Sequence, residues 1–142
     1  MDTCIIYLTK TCVDPIPNAD LFLINDRDTR SYAKAMATGI RVIAGPLMLE
    51  VIEAPMHSIE RLLDEASESK HWKEPEILLT IPIEKHAFQS WVMVNAAPVQ
   101  DVPSVVNALQ TLAAQVIEDP LQLHQAIKQM VLCFQQPRSN AA

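Results

Sequence analysis

A glutamate inside an apolar run is the residue that most invites a chemical reading. Glu50 lies in LMLEVIE, where strand alternation puts it on one face with Met48 and Ile52. Burial there disfavours a charge, and a protonated glutamate would present one donor and one acceptor, much as an amide does. The competing reading is structural: the carboxylate reaches the sheet edge or pairs with a nearby cation. Tyr7, in CIIYLTK, needs a buried partner for its hydroxyl. Trp91 and Met93 share one face of their strand, a pattern that more often fills a core than contacts a cofactor.

Other constellations are missing. His57, His71, His86 and His124 have no ligand-like spacing to each other or to Cys4, Cys12 and Cys133, and there is no C-x-x-C, so neither a metal site nor a disulfide framework is expected. G-x-S-x-G is absent. With only Gly39 and Gly45, no glycine-rich loop can cradle a phosphate. No class of enzyme is indicated.

The elements that must position these residues follow from periodicity. Cys4 to Thr9 is apolar on both faces, as in a strand covered on both sides. Asn18 can cap a helix from about Ala19 to Met36, with Leu21, Ile24, Tyr32 and Ala35 near helical spacing and a polar centre at Asn25, Asp26 and Asp28. Arg41 to Ala44 and Leu47 to Glu53 form a hairpin about Gly45-Pro46. Pro55 opens a second helix whose stripe is Met56, Ile59, Leu62, Leu63 and Ala66. Ile77 to Ile81 and Phe88 to Val94 are strands, the first at an edge or ending there because of Pro82. The order β-α-β-β-α-β-β contains the split β-α-β pattern called ferredoxin-like, an α+β sheet with two helices on one face.

Two further helices are expected after Gln100, with stripes of Val102, Val105, Val106, Leu109, Leu112, Ala113 and Val116, and of Leu123, Ile127, Met130, Val131 and Phe134. Both must be buried, either on the other sheet face or on another subunit. The chain divides into a domain over 1–95, a helical extension of the same unit over 96–136, and a disordered tail over 137–142. Its 142 residues suit one domain, and 49% hydrophobic with 20% charged residues is a globular composition. A net charge of −6 without clustered basic residues excludes a nucleic-acid partner. No apolar run approaches the ~20 residues that span a bilayer, and the N-terminus has no secretory pattern, so a cytoplasmic location is expected.

Taken together, CIIYLTK, AMATGIRVIAG, PLMLEVIEAP with the following helix, and PEILLTIPIEKHAFQSWVM resemble the BLUF family of blue-light sensors over about Cys4 to Val94. The resemblance implies a ferredoxin-like core holding FAD between its two helices, with C-terminal helices on the other face. Tyr7 matches the family's electron-donating tyrosine. Glu50 stands where the family has its glutamine, three residues before the glutamate of an L-E-G signature that is here Ile52-Glu53-Ala54. Tyr32 replaces an asparagine that reads the polar edge of the flavin. Ser69-Lys70-His71-Trp72 takes the place of a basic D-x-R-H stretch near the phosphate side, and Trp91 with Met93 matches the output pair.

These replacements remove most of the directional contacts of a flavin site. The preferred expectation is therefore a BLUF-like regulatory module with lost or altered light sensing, acting through a protein partner or as a homo-oligomer. The alternative is a working FAD photoreceptor that uses Tyr7.

Overall fold

A strand with two apolar faces needs a layer on each side, and β1 (Asp2–Lys10) is an interior strand, largely buried. The computed structural model describes residues 1–13, 16–95 and 107. After β1 come α1 (Asn18–Lys34), β2 (Thr38–Ala44), β3 (Leu47–Ala54), α2 (Met56–Ser67), β4 (Glu76–Ile83) and β5 (Trp91–Asn95). The sheet order is β4-β1-β3-β2-β5. All neighbours are antiparallel except β2 and β5, which run parallel. The first four strands and two helices are the expected ferredoxin-like α+β unit, and β5 extends it beside β2.

The sheet divides the core in two. Ile5, Tyr7, Met48, Ile52 and Trp91 pack with Ile24 and Tyr32 of α1 and with Ile59 and Leu62 of α2. Cys4, Ile6, Ile40, Val42, Leu49, Val51, Ile81 and Phe88 form the cluster on the opposite face. Pro82 is tolerated because β4 is an edge strand, where one row of backbone groups needs no partner.

Several local expectations are corrected. Asn18 is the first helical residue, and Pro17 occupies the cap position without a side-chain cap bond. Likewise Pro55 precedes α2 rather than opening it, and Met56 leaves the apolar stripe for solvent. The last strand starts at Trp91, because residues 84–90 form a connection held by side chains. α1 ends at Lys34 in a Schellman closure: Ala37 N–H donates to the Tyr32 carbonyl and Met36 N–H to that of Ala33. Met36 carries the positive φ of 56° that this closure demands. The expected C-terminal helices, with His124 and Cys133, lie outside the described residues.

Gly39 is required by close packing. Its φ is +144°, and a Cβ there would stand 1.9 Å from the Val51 carbonyl oxygen.

Candidate functional site

Strand register assembles the site. Tyr7 on β1 and Arg41 on β2 are the two cross-strand partners of Glu50 on β3, and Met93 on β5 lies opposite Arg41. Side chains in such a row share a face, here the one beneath the helices. Glu50 is fully buried at its centre.

Every contact made to the Glu50 carboxylate comes from a donor. Oε1 accepts the Tyr7 hydroxyl and, at 2.9 Å, the Tyr32 hydroxyl. Oε2 accepts Arg41 Nε at 3.1 Å and Trp91 Nε1 at 2.9 Å. A carboxylate is acceptor-only and has room for about four such bonds. The surroundings are those of a carboxylate paired with a guanidinium, so the amide-like role expected for Glu50 gives way to the ion-pair reading.

Arg41 is enclosed as completely. Its Nη1 donates to Asp28 Oδ2 at 2.6 Å and its Nη2 to the Tyr32 hydroxyl at 3.0 Å. Its guanidinium carbon lies 4.8 Å from the Trp72 ring centroid, 4.9 Å from that of Trp91 and 5.6 Å from that of Tyr32. Burial opposes the charge, but Glu50, the two tyrosine hydroxyls and Asp28 outweigh it and hold the group cationic. For Tyr7 and Tyr32 burial, and then the charge of Glu50, push the phenols well above the ordinary tyrosine range. Asp28 also takes Arg27 Nε at 2.9 Å. The cluster is thus one buried cation between two carboxylates, lined by rings, with the exposed Arg27 at its Asp28 end.

Above this floor, α1 and α2 flank a cleft of about 400 Å³. Its walls include Ser31 and Tyr32 of α1, Leu62 and Glu65 of α2, and Glu68 and Trp72 beyond. Lys70 and His71 stand outside that lining. Lys70 is exposed, and His71 Nε2 lies 3.8 Å from Asp20. Met93 is partly buried against the same core as Trp91. Tyr7, Tyr32, Glu50, Trp91 and Met93 therefore gather in one place, whereas Lys70 and His71 are apart from it.

Arg41 and Asp28 were not singled out from the sequence. A signal for Arg41 existed: counting back from Ala44 opposite Leu47 across the Gly45-Pro46 turn sets it opposite Glu50. Asp28 falls on the buried line Ile24, Asp28, Tyr32 at four-residue spacing, but its polarity hid that membership.

No family model matches the chain, and neither does any curated protein. Solved structures do match. BlrB, a BLUF protein in its dark state, is 22% identical, with a TM-score of 0.63 over 89% of this chain and 94% of that one. The ground state of BlsA is 17% identical, with a TM-score of 0.62 over 100% and 95%. A bacterial light-regulated adenylyl cyclase is 14% identical, with a TM-score of 0.64; the match covers all of this chain and 42% of the cyclase. The chain likewise spans only 36% of Klebsiella pneumoniae BlrP1 with FMN and cyclic diGMP, at 14% identity and a TM-score of 0.66. The fold is that of the BLUF proteins.

The residues present do not fit a flavin in the manner that the resemblance implies. None of the polar side-chain atoms of Tyr7, Tyr32, Arg41 and Glu50 awaits a partner. Among the described residues, the buried side-chain atoms without one are Thr11 Oγ1 and Trp72 Nε1. The two arginines that line the cleft, Arg27 and Arg41, are both engaged with Asp28, and Arg41 with Glu50 as well, while Glu65 and Glu68 add negative charge beside them.

Proposed function

We propose that this BLUF-fold chain is a regulatory module whose flavin-based light sensing has been lost, and that it acts through protein–protein contact rather than as an enzyme. The observation that supports this most is the closure of the site upon itself: the Glu50 carboxylate takes four donors from its own chain. A ring that is to be read by hydrogen bonds must find donors and acceptors that are free to turn to it. Here an incoming polar edge would have to displace donors already committed to a buried ion pair.

Such a floor acts as a structural staple. It joins α1 through Asp28 and Tyr32, β1 through Tyr7, the hairpin through Arg41 and Glu50, and β5 through Trp91. A partner or second copy that shifted β5 or α1 would be resisted by the whole network, which makes the module stiff rather than photochemically responsive.

The test is the visible spectrum of the full chain, purified after expression with riboflavin supplied. A colourless protein is expected, with no flavin released on denaturation. Stoichiometric flavin whose absorption moves to the red under blue light would overturn the proposal. Light scattering on the same sample tests the second part, for which self-association or co-purification of a defined protein partner is expected. A monomer that captures no partner would refute it.

A further inference from the structure

A second hydrogen-bonded chain lies on other residues and is independent of the cofactor reading. Asp2 Oδ2 is 2.6 Å from His86 Nε2, His86 Nδ1 is 2.6 Å from Thr38 Oγ1, and Thr38 Oγ1 is 2.7 Å from Glu53 Oε1. Glu53 is fully buried. Its Oε2 accepts the Ala87 N–H at 2.7 Å and its Oε1 the Phe88 N–H at 2.9 Å. The chain thus ties the connection 84–90 to β1, β2 and β3. Gly39 N–H donates to the Ser90 carbonyl at 3.1 Å, and Trp91 follows at once.

With Asp2 and Glu53 both ionised, as the two backbone N–H groups donating to Glu53 favour, proton counting along this chain has one solution that satisfies every link. Asp2 as a carboxylate can only accept, so His86 Nε2 must donate. Thr38 has a single hydroxyl hydrogen and gives it to Glu53. His86 Nδ1 must then donate as well, so the ring carries a proton on both nitrogens. Remove one, and Nδ1 becomes an acceptor that claims the same Thr38 hydrogen. Thr38 can serve His86 or Glu53, but not both.

We infer that Asp2, His86, Thr38 and Glu53 form a proton-operated latch on the connection that leads into β5. With His86 doubly protonated, Glu53 keeps three donors and holds Ala87 and Phe88 firmly. When the ring loses a proton, Thr38 turns away and the buried carboxylate loses a donor, which loosens the connection and the start of β5. Among the described residues, the charged groups facing His86 are Asp2 on β1 and, through Thr38, Glu53 on β3. Glu84 and Lys85 precede it on its own connection and are exposed. Glu53 in turn faces the Cys4 thiol, which burial and the Glu53 charge push up, so that thiol stays protonated and adds no charge.

The order acid, imidazole, hydroxyl also matches that of a nucleophile relay. That use is closed here, because Glu53 occupies both the Thr38 hydroxyl and the two backbone N–H groups that would hold an oxyanion.

The test is a pH titration of the full chain by NMR, following the His86 ring together with the Ala87 and Phe88 amides. Both amides are expected to shift with the midpoint of the ring. Their exchange protection, corrected for intrinsic pH dependence, should fall by about tenfold on the alkaline side, as for a lost bond to a charged group. Thr38→Val should abolish the amide step while the ring still titrates, and Thr38→Ser should retain it. Amides indifferent to the His86 titration, or a step that survives in Thr38→Val, would overturn the latch. If Thr38→Val does not fold, His86→Gln decides, since a step that persists without the imidazole equally refutes it.

Discussion

Replacing Glu50 by glutamine keeps the shape of the site while removing its charge, so it isolates what the carboxylate does. The amide oxygen must face Arg41 Nε and Trp91 Nε1, which can only donate. The amide nitrogen then faces the hydroxyls of Tyr7 and Tyr32, where Oε1 stood as acceptor. Both phenolic hydrogens lose their partner, and the Tyr32 hydroxyl already accepts from Arg41 Nη2. Arg41 keeps Asp28 as its one remaining carboxylate. Removing one member of a buried ion pair costs about 3–5 kcal/mol, and the retained amide acceptor and Asp28 place Glu50→Gln near the lower end, at about 3 kcal/mol. With a urea m-value of about 2 kcal/mol/M, the midpoint should fall by about 1.5 M. Equilibrium unfolding followed by tryptophan fluorescence suits this, because Trp72 and Trp91, both against Arg41, are the two tryptophans of the chain. Arg41→Met alone should cost at least as much, since it leaves the fully buried Glu50 carboxylate without a countercharge, while Asp28 keeps only the exposed Arg27. The double variant should be more stable than the two single losses added together, by about 2 kcal/mol. A Glu50→Gln midpoint within experimental error of the parent, or strictly additive losses, would refute the ion-paired site.

Tyr7 and Tyr32 are the chain's only tyrosines, so tyrosinate absorbance reads the site alone. Burial and Glu50 raise both folded values above the unfolded one, so their contribution is intact below about pH 10 and lost above it, by up to about 2.7 kcal/mol per pH unit. Tyrosinate should appear only together with alkaline unfolding, and ionisation within a folded protein near pH 10 would contradict this. Met36→Gly should raise stability by about 1 kcal/mol in thermal unfolding, because glycine accepts the left-handed position at no steric cost. Gly39→Ala should lose about 3 kcal/mol or more by the same measurement, since backbone rather than a movable side chain blocks the new methyl. Of the described thiols, exposed Cys12 should react with a thiol reagent in the native protein, while buried Cys4 should react only on unfolding.

Much of the scaffold was legible in residue order alone. Two apolar faces on residues 4–9, a turn at Gly45-Pro46, the Ile59, Leu62 and Ala66 stripe and Pro82 at an edge are local patterns with local causes, and they define a split β-α-β sheet. Glu50 could be placed on its face by alternation. Which groups meet it there is a different matter. Arg41 comes to Glu50 through hairpin register, Tyr7 through pairing of β1 with β3, Trp91 through the parallel pairing of β2 with β5, and Asp28 through the docking of α1. The clasp of Glu53 on residues 87 and 88 spans more than thirty positions in the same way.

Periodicity reports which face a side chain takes, because each residue's direction is set by its own backbone. It carries no information on the partner across that face. The sequence by itself thus determined a BLUF-like framework with an acid in its middle. Tertiary structure decided that the acid is matched by a buried arginine, since only the assembled sheet and helix bring one cation between two carboxylates and close the site around it.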